Sequence, residues 1–265
     1  MPERLPGADI SGAATRRTLL EQLLPIARAA GAAILDIYAT DFTVHGKADG
    51  SLVTEADQKA EAIILAGLAQ LTPHIPVVSE EAACAGRIPV VGKSFWLVDP
   101  LDGTREFAQR NGEFTVNIAL IDDGVPVAGV VLAPVPAKLY AGAVGRGAFI
   151  EEAGVRRAIA CARPRDGGLT LVSSRSHGDA GLLGQFLAGR AVASSVTVGS
   201  SLKFCLVASG EADLYPRFGR TMEWDTAAGH AVLLAAGGRV TDLAGYALSY
   251  GKAGFENPHF VAGVN

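Results

Sequence analysis

Apolar positions in this chain recur with two periods. From Thr18 to Tyr38, residues Leu20, Leu23, Leu24, Ala27, Ile34 and Tyr38 fall at helical spacing, and Pro25 and Gly31 inside the run predict a kink. Residues 1–14 carry no such pattern and read as an N-terminal arm. Asp41 to Leu52 reads as an extended segment and a glycine-containing loop. A second helix opens at Thr54-Glu55-Ala56-Asp57 and runs to Ala69, with Ile63, Leu65 and Leu68 among its apolar residues. Thr54 is its N-cap and Asp57 stands at the third helical position, as in a capping box.

Short apolar runs then take over. Ile75 to Val78 is a strand ending in Ser79-Glu80-Glu81, and adjacent acids at a strand end read as solvated surface. Residues 82–94 form a loop that leads to Phe95–Val98, a buried strand that Pro100 is expected to end. Phe114–Ile121 and Val125–Leu132 flank Asp123-Gly124, a strong hairpin signal. Lys138–Ala143 and Ala148–Ile150 extend a mostly antiparallel meander. The polar, glycine-rich run Ala162 to Gly168 marks a lobe boundary. The chain therefore reads as one unit over 15–265, with an N-terminal lobe over 15–165 and a C-terminal lobe over 166–265. Beyond the boundary come strands at Leu169–Ser173, Ala191–Val198 and Ala212–Tyr215. Helices are predicted at Asp179–Leu187, at Leu202–Ala208 after the turn Gly199-Ser200-Ser201, and at Thr226–Ala236.

Composition narrows the class. The 265 residues are 49% hydrophobic and 19% charged, enough for a large core, and the low aromatic share of 6% leaves that core to Ala, Val, Leu and Ile. A net charge of −4 argues against a general nucleic-acid binder. It says nothing against an anionic ligand, which answers to local charge. Cys84, Cys161 and Cys205 form no C-x-x-C pair and are odd in number, which points to reduced thiols in the cytosol. The first residues show no signal-peptide core, and no apolar run is read as long enough to span a membrane.

Candidate chemistry concentrates at Trp96-Leu97-Val98-Asp99-Pro100-Leu101-Asp102-Gly103-Thr104. Asp99 and Asp102 lie where a strand gives way to a turn. Two carboxylates held close repel each other unless they share a proton or a cation, and a divalent ion with oxygen ligands resolves the repulsion. Gly103-Thr104 opens a helical turn whose free N–H groups suit an anion. An Asx turn followed by an N-cap accounts equally well for this run taken alone.

The other motifs bear on that choice. Val53 to Asp57, Val78 to Glu81, Trp96 to Phe107 and Trp224 to Gly229, in this order, resemble the lithium-sensitive, Mg-dependent phosphatase superfamily that includes inositol monophosphatase. Asn111 to Ile121, Ser173 to His177, Gly199 to Ala208 and Tyr215 to Gly219 resemble its bacterial CysQ-type subgroup of 3′(2′),5′-bisphosphate nucleotidases. The likeness runs from residue 19 to the C-terminus. Leu52 departs from the usual proline and Arg105 from a frequent lysine, and neither is a ligand position. The resemblance implies an α+β fold, a layered α/β/α/β/α sandwich of the sugar-phosphatase type.

The resemblance also implies roles. Glu80, Asp99, Asp102 and Asp225, with the Leu101 carbonyl, would hold two or three Mg²⁺ ions. Asp57 and Thr104 would hold and deprotonate the attacking water, with Glu81 in support. At Asp57 the capping-box and catalytic readings compete, and the resemblance favours the catalytic one. The substrate implied is adenosine 3′,5′-bisphosphate, cleaved to AMP and phosphate, with the 5′-phosphosulfate analogue as a second substrate in sulfate assimilation. Its contacts would come from Gly103, Thr104, His177, Ser200, Lys203 and Arg217 together with the metal carboxylates. Lys203, Arg217 and Ser200 would take the spared 5′-phosphate. An inositol or sugar monophosphatase and a non-catalytic metal- or nucleotide-binding module are the rival readings. The expected enzyme is cytoplasmic, a monomer or homodimer, without nucleic-acid or integral membrane partners. Peripheral attachment at the inner membrane is left open. The remaining histidines are read as structural and Cys205 as core.

Overall fold

The computed structural model describes residues 12–47, 50, 52–162, 167–174 and 179–264. The expected arm up to residue 11, residues 163–166 of the lobe boundary, and His177 lie outside the described residues. Helix α1 (Ala13–Tyr38) begins inside the stretch read as the arm and runs unbroken through Pro25 and Gly31. Gly31 serves packing rather than a kink, since a Cβ there would lie 2.6 Å from Leu132 Cδ2. Burial of Leu19, Leu23, Ala27, Ala30 and Ile34 offsets the main-chain bond that Pro25 forgoes.

Strands β1 (Val44–Gly46) and β2 (Leu52–Thr54) pair as a small hairpin before helix α2 (Glu55–Leu71). By length and composition α1 could cross a membrane, contrary to the sequence reading. Its apolar stripe instead packs in a core cluster with Ala60, Ile64 and Leu68 of α2. It is a core helix.

Strand β3 (Val77–Ser79) leads into the short helix α3 (Glu80–Cys84). Strand β4 (Ser94–Asp102) does not stop at Pro100 but runs past it to the short helix α4 (Thr104–Ala108). The meander continues through β5 (Thr115–Asp122), β6 (Val125–Ala133), β7 (Lys138–Ala143), β8 (Gly147–Glu152) and β9 (Val155–Ile159). Asp123 and Gly124 both take positive φ, 53° and 74°, the conformation that a tight two-residue hairpin requires. Among the described residues these strands form one sheet in the order β3-β4-β5-β6-β7-β8-β9, parallel at β3–β4 and antiparallel elsewhere.

The rest of the chain builds a second, mixed sheet. Its elements are β10 (Leu169–Ser174), α5 (Ala180–Leu187), β11 (Val192–Val198), α6 (Leu202–Ala208), β12 (Leu214–Arg217), α7 (Glu223–Ala235), β13 (Gly238–Asp242) and β14 (Phe260–Val264), with strand order β11-β10-β12-β14-β13. Trp224 and Asp225 belong to α7, which starts three residues before the predicted helix.

The layers follow from which face each residue buries. Trp96 and Val98 of β4 join the cluster beneath α1 and α2, while Phe95 and Leu97 join the cluster around α6 and α7. A strand buried on both faces needs no polar alternation, hence its continuous apolar run. Helices α6 and α7 are sandwiched between the two sheets, and α5, the helix left for an outermost layer, buries none of its residues. The result is the α+β layered architecture. Glycines let α7 approach the sheet closely: a Cβ on Gly129 of β6 would lie 2.7 Å from the Ala228 carbonyl oxygen and 2.8 Å from Ala231 Cβ. A backbone atom cannot rotate away. Gly129→Ala is expected to cost about 1–3 kcal/mol of stability, read as a lower Tm in thermal denaturation, and an unchanged Tm would show that the interface can open without penalty.

Candidate active site

The acidic cluster is assembled by strand irregularity and helix starts. Asp99 pairs with Asn117 and Asp102 with Thr115, so β4 spends one residue more than β5 over this step. Residues three apart on a regular strand face opposite sides; the extra residue at Pro100–Leu101 is a bulge that turns both carboxylates to one side. Glu80 opens α3, and Asp225 is the third residue of α7. Asp225 Oδ2 accepts the Met222 N–H at 2.8 Å, which pins it at the helix start. Glu80, Asp99, Asp102 and Asp225 line one cavity of about 530 Å³, with Leu101, Gly103 and Thr104. The same cavity reaches Ser200, Lys203 and Arg217 on the α6 and β12 side.

Asp57 stands just behind this wall and divides its two oxygens. Its Oδ2 accepts the Thr54 N–H and hydroxyl, each at 2.7 Å, and its Oδ1 accepts the Thr104 hydroxyl at 3.3 Å. Capping and a role at the site coexist. Glu81 faces an adjoining groove with Lys47, Gln58 and Glu61 rather than the acidic cavity. Neither Glu80 nor Glu81 is the solvated surface that the sequence suggested. Both accept from the Lys47 ammonium, at 2.8 and 2.5 Å.

Charge at the site is unbalanced. Burial, then repulsion from Glu80, Asp102, Asp225 and Asp57, pushes the Asp99 carboxyl well above its ordinary range. Burial, then Asp102 and Glu80, does the same to Asp225. Burial raises Asp57 and Asp102 to about 6 and Glu81 to about 7. Against a burial that would lower it, Glu80 and Glu81 raise the Lys47 ammonium. Lys203 is lowered to about 8 by burial, with Asp102 opposing. Such a cluster can take up a proton or a hard cation. Among the described residues no three His, Cys, Asp or Glu side chains are already closed about one point, in keeping with the tilt of Glu80 toward Lys47.

Across the cavity, Lys203 and Arg217 are almost wholly buried. Ser200 takes a left-handed φ of 50°, and its Oγ is buried with no hydrogen-bond partner among the described residues. A polar network joins the two sides. Asp102 accepts from the Ser201 N–H at 2.6 Å and from Asn117 Nδ2 at 3.2 Å, and the Ser201 hydroxyl donates to the Asp225 carbonyl at 2.7 Å.

The sequence pattern of the inositol monophosphatase family matches residues 15–261. The chain belongs to that family. A 3′(2′),5′-bisphosphate nucleotidase CysQ of Escherichia coli O157:H7 is 51% identical over 247 residues, spanning 91% of this chain and 98% of its own. The crystal structure of CysQ from Bacteroides thetaiotaomicron, described as a bacterial member of the family, superposes with a TM-score of 0.79 at 38% identity, over 93% of this chain and 97% of that one. That of the extragenic suppressor protein suhB from Bartonella henselae gives 0.78 at 28%, over 94% of each.

Three residues that bond to these carboxylates were not singled out by sequence. Lys47 sits in a loop, where a lone cation carries no pattern. Asn117 was visible as the one polar residue inside the apolar run of β5. Ser201 read only as part of a turn. His230, read as structural, is buried, held by Tyr250 at 2.9 Å and lowered to about 3 by burial.

With Asp57, Asp102 and Glu81 raised to about 6, about 6 and about 7, the folded chain without divalent cations retains protons that the unfolded chain has released. Its stability from these groups is lost as pH rises from about 4 through about 7. Asp99→Asn removes one charge at constant shape. In chelator at about pH 8, calorimetry should show it melting above the unaltered chain, and a lower Tm would refute repulsion as the dominant effect.

Proposed function

We propose that this chain is a Mg²⁺-dependent 3′(2′),5′-bisphosphate nucleotidase that hydrolyses adenosine 3′,5′-bisphosphate to AMP and phosphate, and the 5′-phosphosulfate analogue likewise. The observation that carries the reading is the single cavity with four carboxylates at one end, Asp99 buried and Glu80, Asp102 and Asp225 half-buried, and Lys203, Arg217 and the Ser200 hydroxyl at the other. The named relatives at about half identity act in its favour.

The donor set fits magnesium. Glu80, Asp99, Asp102, Asp225 and the Leu101 carbonyl offer oxygen only, which suits Mg²⁺ over zinc or copper. Two or three ions bound by these residues would supply charge neutralisation at the phosphate, a more acidic water and support for the leaving oxygen. Asp57 Oδ1, already within 3.3 Å of Thr104 Oγ1, orients that hydroxyl and takes the proton of the attacking water. Its pKa, raised to about 6 by burial, matches a base working near neutrality. Gly103, at φ 94°, gives the chain the turn that brings Thr104 to this position. Glu81 supports the Glu80 side through their common Lys47 partner. Lys203 and Arg217 hold the spared 5′-phosphate, where an arginine fork pairs well.

Such an enzyme works in the cytoplasm on a free nucleotide. None of the three cysteines forms a disulfide, which supports a reducing compartment.

A phosphate-release screen across nucleotide bisphosphates, inositol phosphates and fructose bisphosphate tests the reading. Release from the bisphosphate should stop with chelator and return with Mg²⁺. Asp99→Asn should lower kcat/KM by more than about 10²-fold, since loss of a mere supporting partner already costs ~10–100-fold. Lys203→Ala combined with Arg217→Ala should raise KM for the bisphosphate far more than for inositol 1-phosphate. Equal losses on both would favour an inositol monophosphatase, and undiminished release from Asp99→Asn would remove the metal mechanism.

A further inference from the structure

Helix α3 is too short to hold itself in place, yet it carries Glu80 as its first residue. Its N-cap, Ser79, makes no capping bond with its own side chain. The Ser79 hydroxyl is turned away to donate to Glu61 Oε1 at 2.5 Å, and the same oxygen accepts the Ala82 N–H at 3.0 Å. Glu61 thus supplies from α2 the acceptor that a helix start normally finds in its own N-cap. Ser79 and Glu61 are both buried. A carboxylate there is held by these two donors, one on each side of Glu80 in sequence.

Glu61 follows Asp57 by four residues, so both project from the same face of α2. Asp57 reaches Thr104 and Glu61 reaches the start of α3. One rigid helix therefore ties the proposed base to the segment that carries Glu80. We infer that Glu61 is a positioning residue for Glu80: it fixes the first turn of α3, and through it the reach of the Glu80 carboxylate into the acidic cavity. This inference rests on the reading of Glu80 as a metal carboxylate. It goes beyond that reading in giving a task to a buried acid that does not line the acidic cavity.

The test is calorimetric titration of the metal-free protein with Mg²⁺, alongside kinetics. Glu61→Gln keeps an oxygen that accepts from Ser79 and Ala82, whereas Glu61→Ala removes it. The expected result is near-normal Mg²⁺ affinity in Glu61→Gln and a loss of about tenfold in Glu61→Ala, the range for partners that orient a ligand. KM for the bisphosphate at saturating Mg²⁺ should stay close to normal in both. Ser79→Ala, which leaves the Ala82 bond, should weaken Mg²⁺ less than Glu61→Ala, and it decides the matter if Glu61→Ala does not fold. Glu80→Gln is the reference. Where Glu80→Gln loses Mg²⁺ affinity but Glu61→Ala, or Ser79→Ala in its place, keeps it, the positioning role is overturned. Where Glu80→Gln itself binds Mg²⁺ normally, the reading of Glu80 falls and the inference with it.

Discussion

Repulsion among buried carboxylates is the constraint that the rest of this structure answers. Asp99, Asp102 and Asp225 face one cavity with Glu80; burial raises the proton affinity of all three aspartates, and Asp102 and Glu80 raise that of Asp99 and Asp225 further. Left to itself such a cluster would push its backbone segments apart. The fold resists by fastening the three aspartates to main chain and Glu80 to the Lys47 ammonium. Leu101 N–H donates to Asp99, Ser201 N–H to Asp102, and Met222 N–H to Asp225. Hydrogen bonds to an ionised acceptor are the stronger kind, so the same contacts that aim the carboxylates also compensate part of the charge. Stability is given up locally where these acids are crowded together.

Helix starts are the recurrent device. Asp57 and Asp225 each stand third in a helix, accept the N–H of the residue that precedes it, and face the same site. A carboxylate is favoured at that end by the unpaired N–H groups and the helix dipole. Two helices, α2 and α7, pack against β4 from opposite faces of one sheet. The bulge at Pro100 supplies the other two acids from the strand between them.

Much of this was legible in sequence because it is local. The capping box at Thr54 and Asp57, the Asp123-Gly124 turn and the twofold-buried strand at Phe95–Val98 depend on residues near one another in the chain. The family motifs carried the site residues. What escaped has a common cause. Pro100 was read as an end because a proline lacks a donor, whereas a bulge absorbs that loss inside the strand. Glu80 and Glu81 looked solvated because their partner, Lys47, is far off in sequence. Pro25 and Gly31 looked like a kink because only tertiary packing reveals that α1 needs a bare backbone against Leu132. Strands β9, β13 and β14 passed unread, being short or lying at the ends of sheets.

The network from Asp102 through Ser201 to Asp225 has a further consequence. It ties the end of β4 to the starts of α6 and α7, so the strand that carries Asp99 and Asp102 is fastened to the helix that carries Lys203 and to the one that carries Asp225. The molecule is in effect a calliper. On the proposed reading, a ligand would be selected by the span between its two anionic groups before any sugar or base is consulted, with the jaws held by the packing around α7.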